Sequence, residues 1–317
     1  MPRHLGRLKG LQTLTKFVVG KHSGSGIEEL WKLTNLRWRG SLSILDLQNF
    51  ETSTDMKYLR DSKYLEELEL SWKDNTSASE GHINVLDCLQ PLSNLKRLDI
   101  RGYGGIIFPN WVGHPSFSNI ASIRLSNCKF CCSLPPLGQL PSLQELSIYG
   151  LDGVITVGPE FYGSGSSSIK SFGALQVLKF ENMLKWEEWF SFDAQNEGRA
   201  FPQLKQLEIK NCPKLKEFGI TNWGSLPSLP ERAITLYIRD CPQIESFPEG
   251  GLPSKLNEIS SSIVTNSLRA GWGGVCKNSR VLEDSQSVTN LKMWSPFQRR
   301  GCCLPVLPIL TSVAFQI

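Results

Sequence analysis

The sequence predicts an α/β repeat solenoid, in which each coil gives one short strand to a parallel sheet and returns through an irregular outer side. Three observations carry this. Apolar residues recur at the first, fourth and sixth positions of a unit, with Asn, Cys or a hydrophobe at the ninth, as in LKQLEIKNC at 204–212. Successive copies begin 23 to 32 residues apart, around the roughly 20–29 residues of one leucine-rich repeat. Between copies lie Pro- and Gly-rich stretches such as 133–141 and 247–253, where missing N–H donors block regular helix. The implied form is a leucine-rich-repeat horseshoe. Its concave side is a parallel sheet, and its convex side is built of loops, 3₁₀ turns and short helices.

Taken in order, the first apolar position falls at Leu42, Leu65, Leu95, Ile120, Leu143, Leu175, Leu204, Ala233 and Leu256. The fourth and sixth are Leu45/Leu47, Leu68/Leu70, Leu98/Ile100, Ile123/Leu125, Leu146/Ile148, Leu178/Phe180, Leu207/Ile209 and Leu236/Ile238. The unit at 256 keeps only Ile259, and Leu5, Leu8, Leu11 and Leu14 indicate a further unit at the start. Period-two alternation crosses only the middle of each unit, so each carries one short strand. Helical spacing at 53–64 (Met56, Leu59) and 80–90 (Ile83, Leu86, Leu89) predicts short convex helices. Longer inserts interrupt the stack at 73–81, 158–172 and 191–201, the second with a flexible Gly/Ser run at 163–168.

The expected division is a solenoid over 1–265, about nine units, and an irregular tail over 266–317, either disordered or frame-shifted. One permitted codon choice for 292–305 reads, two bases along, as DVESFPEKGLLP. That resembles this chain's own IESFPEGGLP at 244–253. A slipped frame would strip Cys302 and Cys303 of meaning.

Composition narrows the function. A net charge of +4 on 317 residues is far from the basic footprint of a nucleic-acid binder. No 18-residue apolar run occurs to span a membrane, and the first twenty residues lack a signal-peptide layout. Nine cysteines without a secretory signal point to reduced thiols in the cytoplasm. Cys128, Cys212 and Cys241 occupy the ninth position, where a small side chain turns inward toward backbone groups. Cys128, Cys131 and Cys132 form only half a zinc site, with no second pair and scattered histidines. No G-x-x-x-x-G-K-[ST], H-E-x-x-H or G-x-S-x-G motif is present, so neither a cofactor nor catalytic residues are expected. Glu187 and Glu188 beside Trp186 and Trp189 read as a convex loop, with Trp186 packed inward and the acids in water.

The informative residues are the outward ones of the strand row, since strand side chains alternate. Counted from the pattern, the middle outward position reads Asp46, Glu69, Asp99, Arg124, Ser147, Lys179, Glu208 and Tyr237. The next reads Gln48, Ser71, Arg101, Ser126, Tyr149, Glu181, Lys210 and Arg239. Interleaved charge with Tyr149, Tyr237 and an outward Trp72 suits a protein partner rather than a phosphate backbone. Arg124, Tyr149, Lys179, Lys210, Tyr237 and Arg239 are the predicted protein-binding residues, because Tyr and Arg anchor most interfaces.

Three stretches resemble one family. They run from LKGLQTL at 8–14 through FVVG at 17–20, from LDIRGYGG at 98–105 through FPNW at 108–111, and through LPPLGQLPSL at 134–143. All are similar to the repeat region of plant coiled-coil, nucleotide-binding, leucine-rich-repeat disease-resistance proteins, over roughly 1–260. The resemblance implies a sensor that helps recognise pathogen effectors, or guarded host proteins, and restrains a nucleotide-binding module. In that family the P-loop module precedes the repeats; this chain begins inside them, so ATP or ADP binding is not carried over.

The reading is therefore a non-catalytic interaction module of plant immunity. A truncated, non-functional resistance-gene product is the alternative. An extracellular receptor repeat is another, disfavoured by the missing signal peptide, cap cysteines and G-x-I-P steps. A ubiquitin-ligase adaptor would need an F-box-like segment ahead of the repeats, which is not visible.

Overall fold

The computed structural model describes residues 2–22, 24–33, 35–36, 40–50, 59, 63–73, 78, 81–163, 171–190, 200–216, 234–244, 256–261 and 280–282. Thirteen strands are present among them: β1 (Lys16–Val18), β2 (Gly40–Leu45), β3 (Leu65–Ser71), β4 (Arg97–Arg101), β5 (Ser122–Ser126), β6 (Glu145–Tyr149), β7 (Thr156–Val157), β8 (Val177–Glu181), β9 (Glu188–Trp189), β10 (Gln206–Lys210), β11 (Ile234–Arg239), β12 (Leu256–Ser261) and β13 (Arg280–Leu282). Eleven of them form one sheet in sequence order, leaving out β7 and β9, which pair with each other. Every pairing is parallel. Parallel neighbours joined by a returning loop are what a repeating coil produces, because each strand re-enters beside the last.

The inward residues make the core. The fourth-position column Leu68, Leu98, Ile123, Leu146, Leu178 and Leu207 is buried, as is the sixth-position column Leu70, Ile100, Leu125, Ile148, Phe180 and Ile209. The first position, at Leu65, Leu95, Ile120, Leu143, Leu175 and Leu204, is buried beside them. Each such side chain contributes about 1.5–3 kcal/mol when fully removed from water. One coil cannot enclose its own column, so stability comes from stacking.

The first counted unit needs a correction. Leu42 pairs with Leu68 and Ile44 with Leu70, so these two hold the fourth and sixth positions. Leu45 is their outward neighbour, and Leu47 is buried in a 3₁₀ turn, Leu47–Asn49, behind the strand. First-position Leu65 pairs with Gly40, next to a register shift at Ser41, so no apolar side chain stands opposite it. Phe17 pairs with Ile44, so β1 is the strand of the unit under way at the start.

The convex side carries α1 (Glu28–Trp31), α2 (Gly81–Cys88) and α3 (Pro159–Tyr162), with 3₁₀ turns at Leu5–Arg7 and Leu137–Gln139. Helix α2 fills the helical spacing at 80–90; the spacing at 53–64 falls almost wholly outside the described residues. Around α3 the loops supply an aromatic block. Phe161 lies 4.7 Å from Phe172, Phe172 stacks on Phe201 at 4.8 Å, and Phe180 lies 4.7 Å from Trp186 (centroid distances). Trp189 donates its indole N–H to the Tyr162 hydroxyl at 3.0 Å, joining two outer loops through a buried bond. Beyond β11 the row continues through β12 to β13, with Ile259 beside Val281. Residues 292–305, and with them the frame question, lie outside the described residues.

Candidate protein-interaction face

Alternation turns every second residue of a strand outward, and the parallel register of the large sheet aligns them into rows. The middle row runs Lys16, Ser43, Glu69, Asp99, Arg124, Ser147, Lys179, Glu208 and Tyr237. The next runs Val18, Leu45, then Ser71, Arg101, Ser126, Tyr149, Glu181, Lys210 and Arg239. Asp46 and Gln48 are therefore not members. With the first unit re-registered, Ser43 and Leu45 take their places, and Asp46 sits past the strand at φ 59°. Trp72 is corrected too: it is 2% exposed, packed edge-on against Tyr103 at 5.3 Å. Its indole N–H is buried with no partner among the described residues.

Most charges on the face are paired along or across strands. Arg101 grips Asp99 at 2.7 Å and approaches Glu69 at 3.4 Å, while Ser43 donates its hydroxyl to Glu69 at 2.7 Å. Lys179 meets Glu208 at 2.8 Å, and Lys210 meets Glu181 at 2.8 Å. Donating to the Glu181 carboxylate holds the Lys210 ammonium above its ordinary pKa, and donating to Asp99 does the same for Arg101. Between these pairs the sheet is hollowed into an open depression of about 710 Å³, lined by Trp72, Arg101, Arg124, Ser147, Tyr149 and Lys179 among others. Of the six predicted residues, Arg124, Tyr149 and Lys179 thus meet at one place. Lys210, Tyr237 and Arg239 continue the same face on β10 and β11 without lining the hollow. Tyr149 is the exposed aromatic of the face at 37%, and Tyr237 is half-buried.

A residue class missed by the pattern closes seven of the sheet's strands: β2, β4, β5, β6, β8, β10 and β11. The eighth position holds Asp46, Asn127, Asn182, Asn211 and Asp240, all with φ between 51° and 59°, and Gly102 and Gly150 at 65° and 64°. Asn, Asp and Gly are the residues that tolerate this left-handed region. Their N–H groups extend the ladder, from Asn127 to the Tyr149 carbonyl at 2.8 Å and from Asn182 to that of Lys210 at 2.9 Å. At Gly102 the demand is steric as well: a Cβ would meet the Trp72 carbonyl oxygen at 2.5 Å. The signal was readable as Asn, Asp or Gly two residues after the sixth position.

Behind the sheet the ninth-position thiols bond to backbone. Cys128 donates to the Ser126 carbonyl at 3.5 Å, Cys212 to that of Lys210 at 3.4 Å and Cys241 to that of Arg239 at 3.2 Å. Cys131 donates to the Gly105 carbonyl at 3.1 Å, and its thiol is pushed up in pKa by its contact with Cys128 and by burial. The Cys212 thiol is pushed up by its contact with Cys241 and by burial. These two thiols stay protonated at neutral pH and serve as small donors in the core. Among the described residues no group of three or more His, Cys, Asp or Glu could hold a metal ion, and no helix is long and apolar enough to cross a membrane. Glu187 makes ion pairs with Lys214 at 3.3 Å and Lys216 at 3.7 Å while Trp186 is buried.

Residues 27–151 match the family model described as R13L1/DRL21 LRRs. Over 250 residues the chain is 38% identical to disease resistance RPP13-like protein 1 of Arabidopsis thaliana, covering 74% of this chain and 23% of that protein. The disease resistance proteins RGA4 and RGA1 of Solanum bulbocastanum are each 33% identical, over 72% and 81% of this chain and 24% and 26% of their own lengths. Over about three quarters of its length the chain is similar to plant disease-resistance proteins, and residues 27–151 match a leucine-rich-repeat family. It spans about a quarter of the length of these curated relatives. The similarity to RGA1 covers 271 residues, so it takes in most of the strand row and is not confined to one or two coils.

Proposed function

We propose that this repeat region is a non-catalytic protein-interaction module of plant immunity, working in the cytoplasm, with the strand row as its docking face. It binds a pathogen effector or guarded host protein, or restrains a nucleotide-binding module from the same gene or another. The observation that carries the reading is the unbroken register of outward residues from β3 to β11, which presents a broad, rigid and polar surface. Such a surface can change its outward residues without disturbing the column behind it. The disease-resistance names of the relatives favour the immune context.

Affinity is assigned to Arg124, Tyr149, Lys179, Lys210, Tyr237 and Arg239. Tyr and Arg are the side chains that most often carry binding energy at an interface. Co-precipitation from plant cells with wild-type chain and a Tyr149→Ala, Tyr237→Ala double variant tests this. The double variant is expected to weaken binding by about 2 kcal/mol or more, with an unchanged melting curve. Equal recovery of every partner by both chains would move the docking surface off the strand row.

A further inference from the structure

The hollow of the concave face has a feature that its sequence rows do not reveal. Arg124 sits at its centre on β5, between Asp99 on β4 and Ser147 on β6. Asp99 would be its natural partner, but the Asp99 carboxylate is taken by Arg101, whose Nε and Nη2 reach it at 3.1 and 2.7 Å. On the far side Lys179 is held by Glu208, one strand further on, and Glu181 by Lys210. Among the described residues the ion pairs of this stretch are those of Arg101, Lys179 and Lys210, and none includes Arg124. Its guanidinium is exposed. The hydroxyls of Ser126 and Ser147 lie on its own and the next strand, and the exposed ring of Tyr149 stands diagonally beside it.

We infer that this hollow receives an Asp or Glu side chain of a partner protein on Arg124, against the ring of Tyr149. A guanidinium takes a carboxylate through two parallel N–H bonds, and the remaining carboxylate lone pairs can accept from neighbouring hydroxyls such as Ser126 and Ser147. A nucleic-acid strand does not fit, because its successive phosphates would run onto Asp99 and Glu181 at the rim, while tracking phosphates needs an uninterrupted basic stripe. One carboxylate inserted between paired rim charges meets no such repulsion. The inference rests on the strand row being the docking face and names the chemistry that the face selects.

The test uses the full chain and short fluorescein-labelled peptides of alternating Glu and Ala, with alternating Gln and Ala as the neutral match. Fluorescence anisotropy at about 50 mM salt keeps surface attraction measurable. The wild type is expected to prefer the Glu peptide by about tenfold or more, as a bidentate charge-assisted pair allows. Arg124→Ala should abolish that preference, and Arg124→Lys, which keeps the charge and loses the fork, should retain only part of it. Lys129→Ala removes an exposed cation after β5 that does not line the hollow, and should leave the preference intact. Melting curves of the three variants should overlay the wild type, since Arg124 and Lys129 are exposed. Equal affinity for both peptides overturns the inference. So does a preference that survives Arg124→Ala, an equal loss in Lys129→Ala, or displacement by inorganic phosphate as effective as by unlabelled Glu peptide. Partners lost by the tyrosine double variant but kept by Arg124→Ala would remove this anchor while leaving the docking face in place. A Glu preference that depends on Arg124, beside partner recovery indifferent to every concave substitution, would do the opposite.

Discussion

The two sides of each coil differ in how much sequence freedom they leave. On the concave side the strands repeat closely from β4 to β11: two buried columns, outward residues that pair with one another in water, and a left-handed residue that ends each strand of the row. On the convex side no two coils are alike. Between β6 and β10 the outer segments interlock Phe161, Tyr162, Phe172, Trp186, Trp189 and Phe201 with one another and with Phe180 of β8, through ring contacts and the Trp189–Tyr162 hydrogen bond. The irregular side is thus as deeply buried as the strand columns, and the regular side keeps its variation at the surface.

That contrast can be broken in measurable ways. The largest effect is expected where the columns are charged: Leu207→Asp puts a carboxylate at a fully buried site and should cost several kcal/mol, through desolvation or enforced protonation. Urea unfolding would show it, and a loss near zero would mean that β10 does not face a shared core. Trp186→Ala should cost about 3–5 kcal/mol by opening a cavity, since Trp186 is fully buried against Phe180 and Trp189 and donates to the Glu188 carbonyl at 2.9 Å. A loss typical of a surface site would show that the aromatic block is decoration and the convex side is not core. At the strand ends, Asn182→Val forces a β-branched residue to φ 56°. It also removes the Asn211–Asn182 side-chain bond, for about 1–3 kcal/mol in the same assay. Lys179→Ala, by contrast, removes an exposed ion pair with Glu208 and should change stability by less than about 1 kcal/mol, fading as salt rises. A larger loss there would contradict the picture of a face that varies freely.

The smallest effect is one of pH. Burial holds the pKa of His82 on α2 below its ordinary value, and its Nδ1 accepts the Gly104 N–H at 3.2 Å, which a protonated ring could not do. The unfolded chain therefore takes its proton first as pH falls through about 6.5, so stability contributed by neutral His82 is lost on acidification and not at alkaline pH. Denaturation midpoints at neutral and mildly acid pH should fall more steeply in the wild type than in His82→Gln. Parallel slopes would show that the ring titrates as it does in the unfolded chain.

How far the sequence carries this picture depends on which force leaves a mark in it. Apolar periodicity records burial, so the strands of the large sheet from β3 to β11 and the inward packing of Trp186 were legible, whereas the convex pair β7 and β9 was not, Glu188 having been read as part of a loop. It failed at the second strand because SLSILDLQN offers two overlapping frames. The false one, Leu42/Leu45/Leu47, scores better because Leu47 is buried too, from a turn and not from the strand. Asp46 would have settled the choice, since it falls in the same left-handed slot as Asn127, Asn182 and Asn211. Backbone conformation marks the sequence with Asn, Asp and Gly, a weaker signal than leucine. Trp72 was misjudged for a related reason: alternation stops where β3 ends, and the side chain turns back under Tyr103. Which face Arg124, Tyr149 and Lys179 occupy follows from alternation, but that they share one hollow does not. Their meeting depends on a register across three strands, β5, β6 and β8, and the freedom of Arg124 depends on Asp99 choosing Arg101.

The register itself has an evolutionary reading. Loops between first positions from β3 to β11 vary from 23 to 32 residues, yet the strand pairing never slips across them; the shifts lie only near Gly40 and Ile234. Unequal recombination that deletes or duplicates a whole coil would therefore splice one alignment onto another without a frame error in the sheet. The concave surface can be rewritten a coil at a time, like movable type, while the fold behind it stays the same.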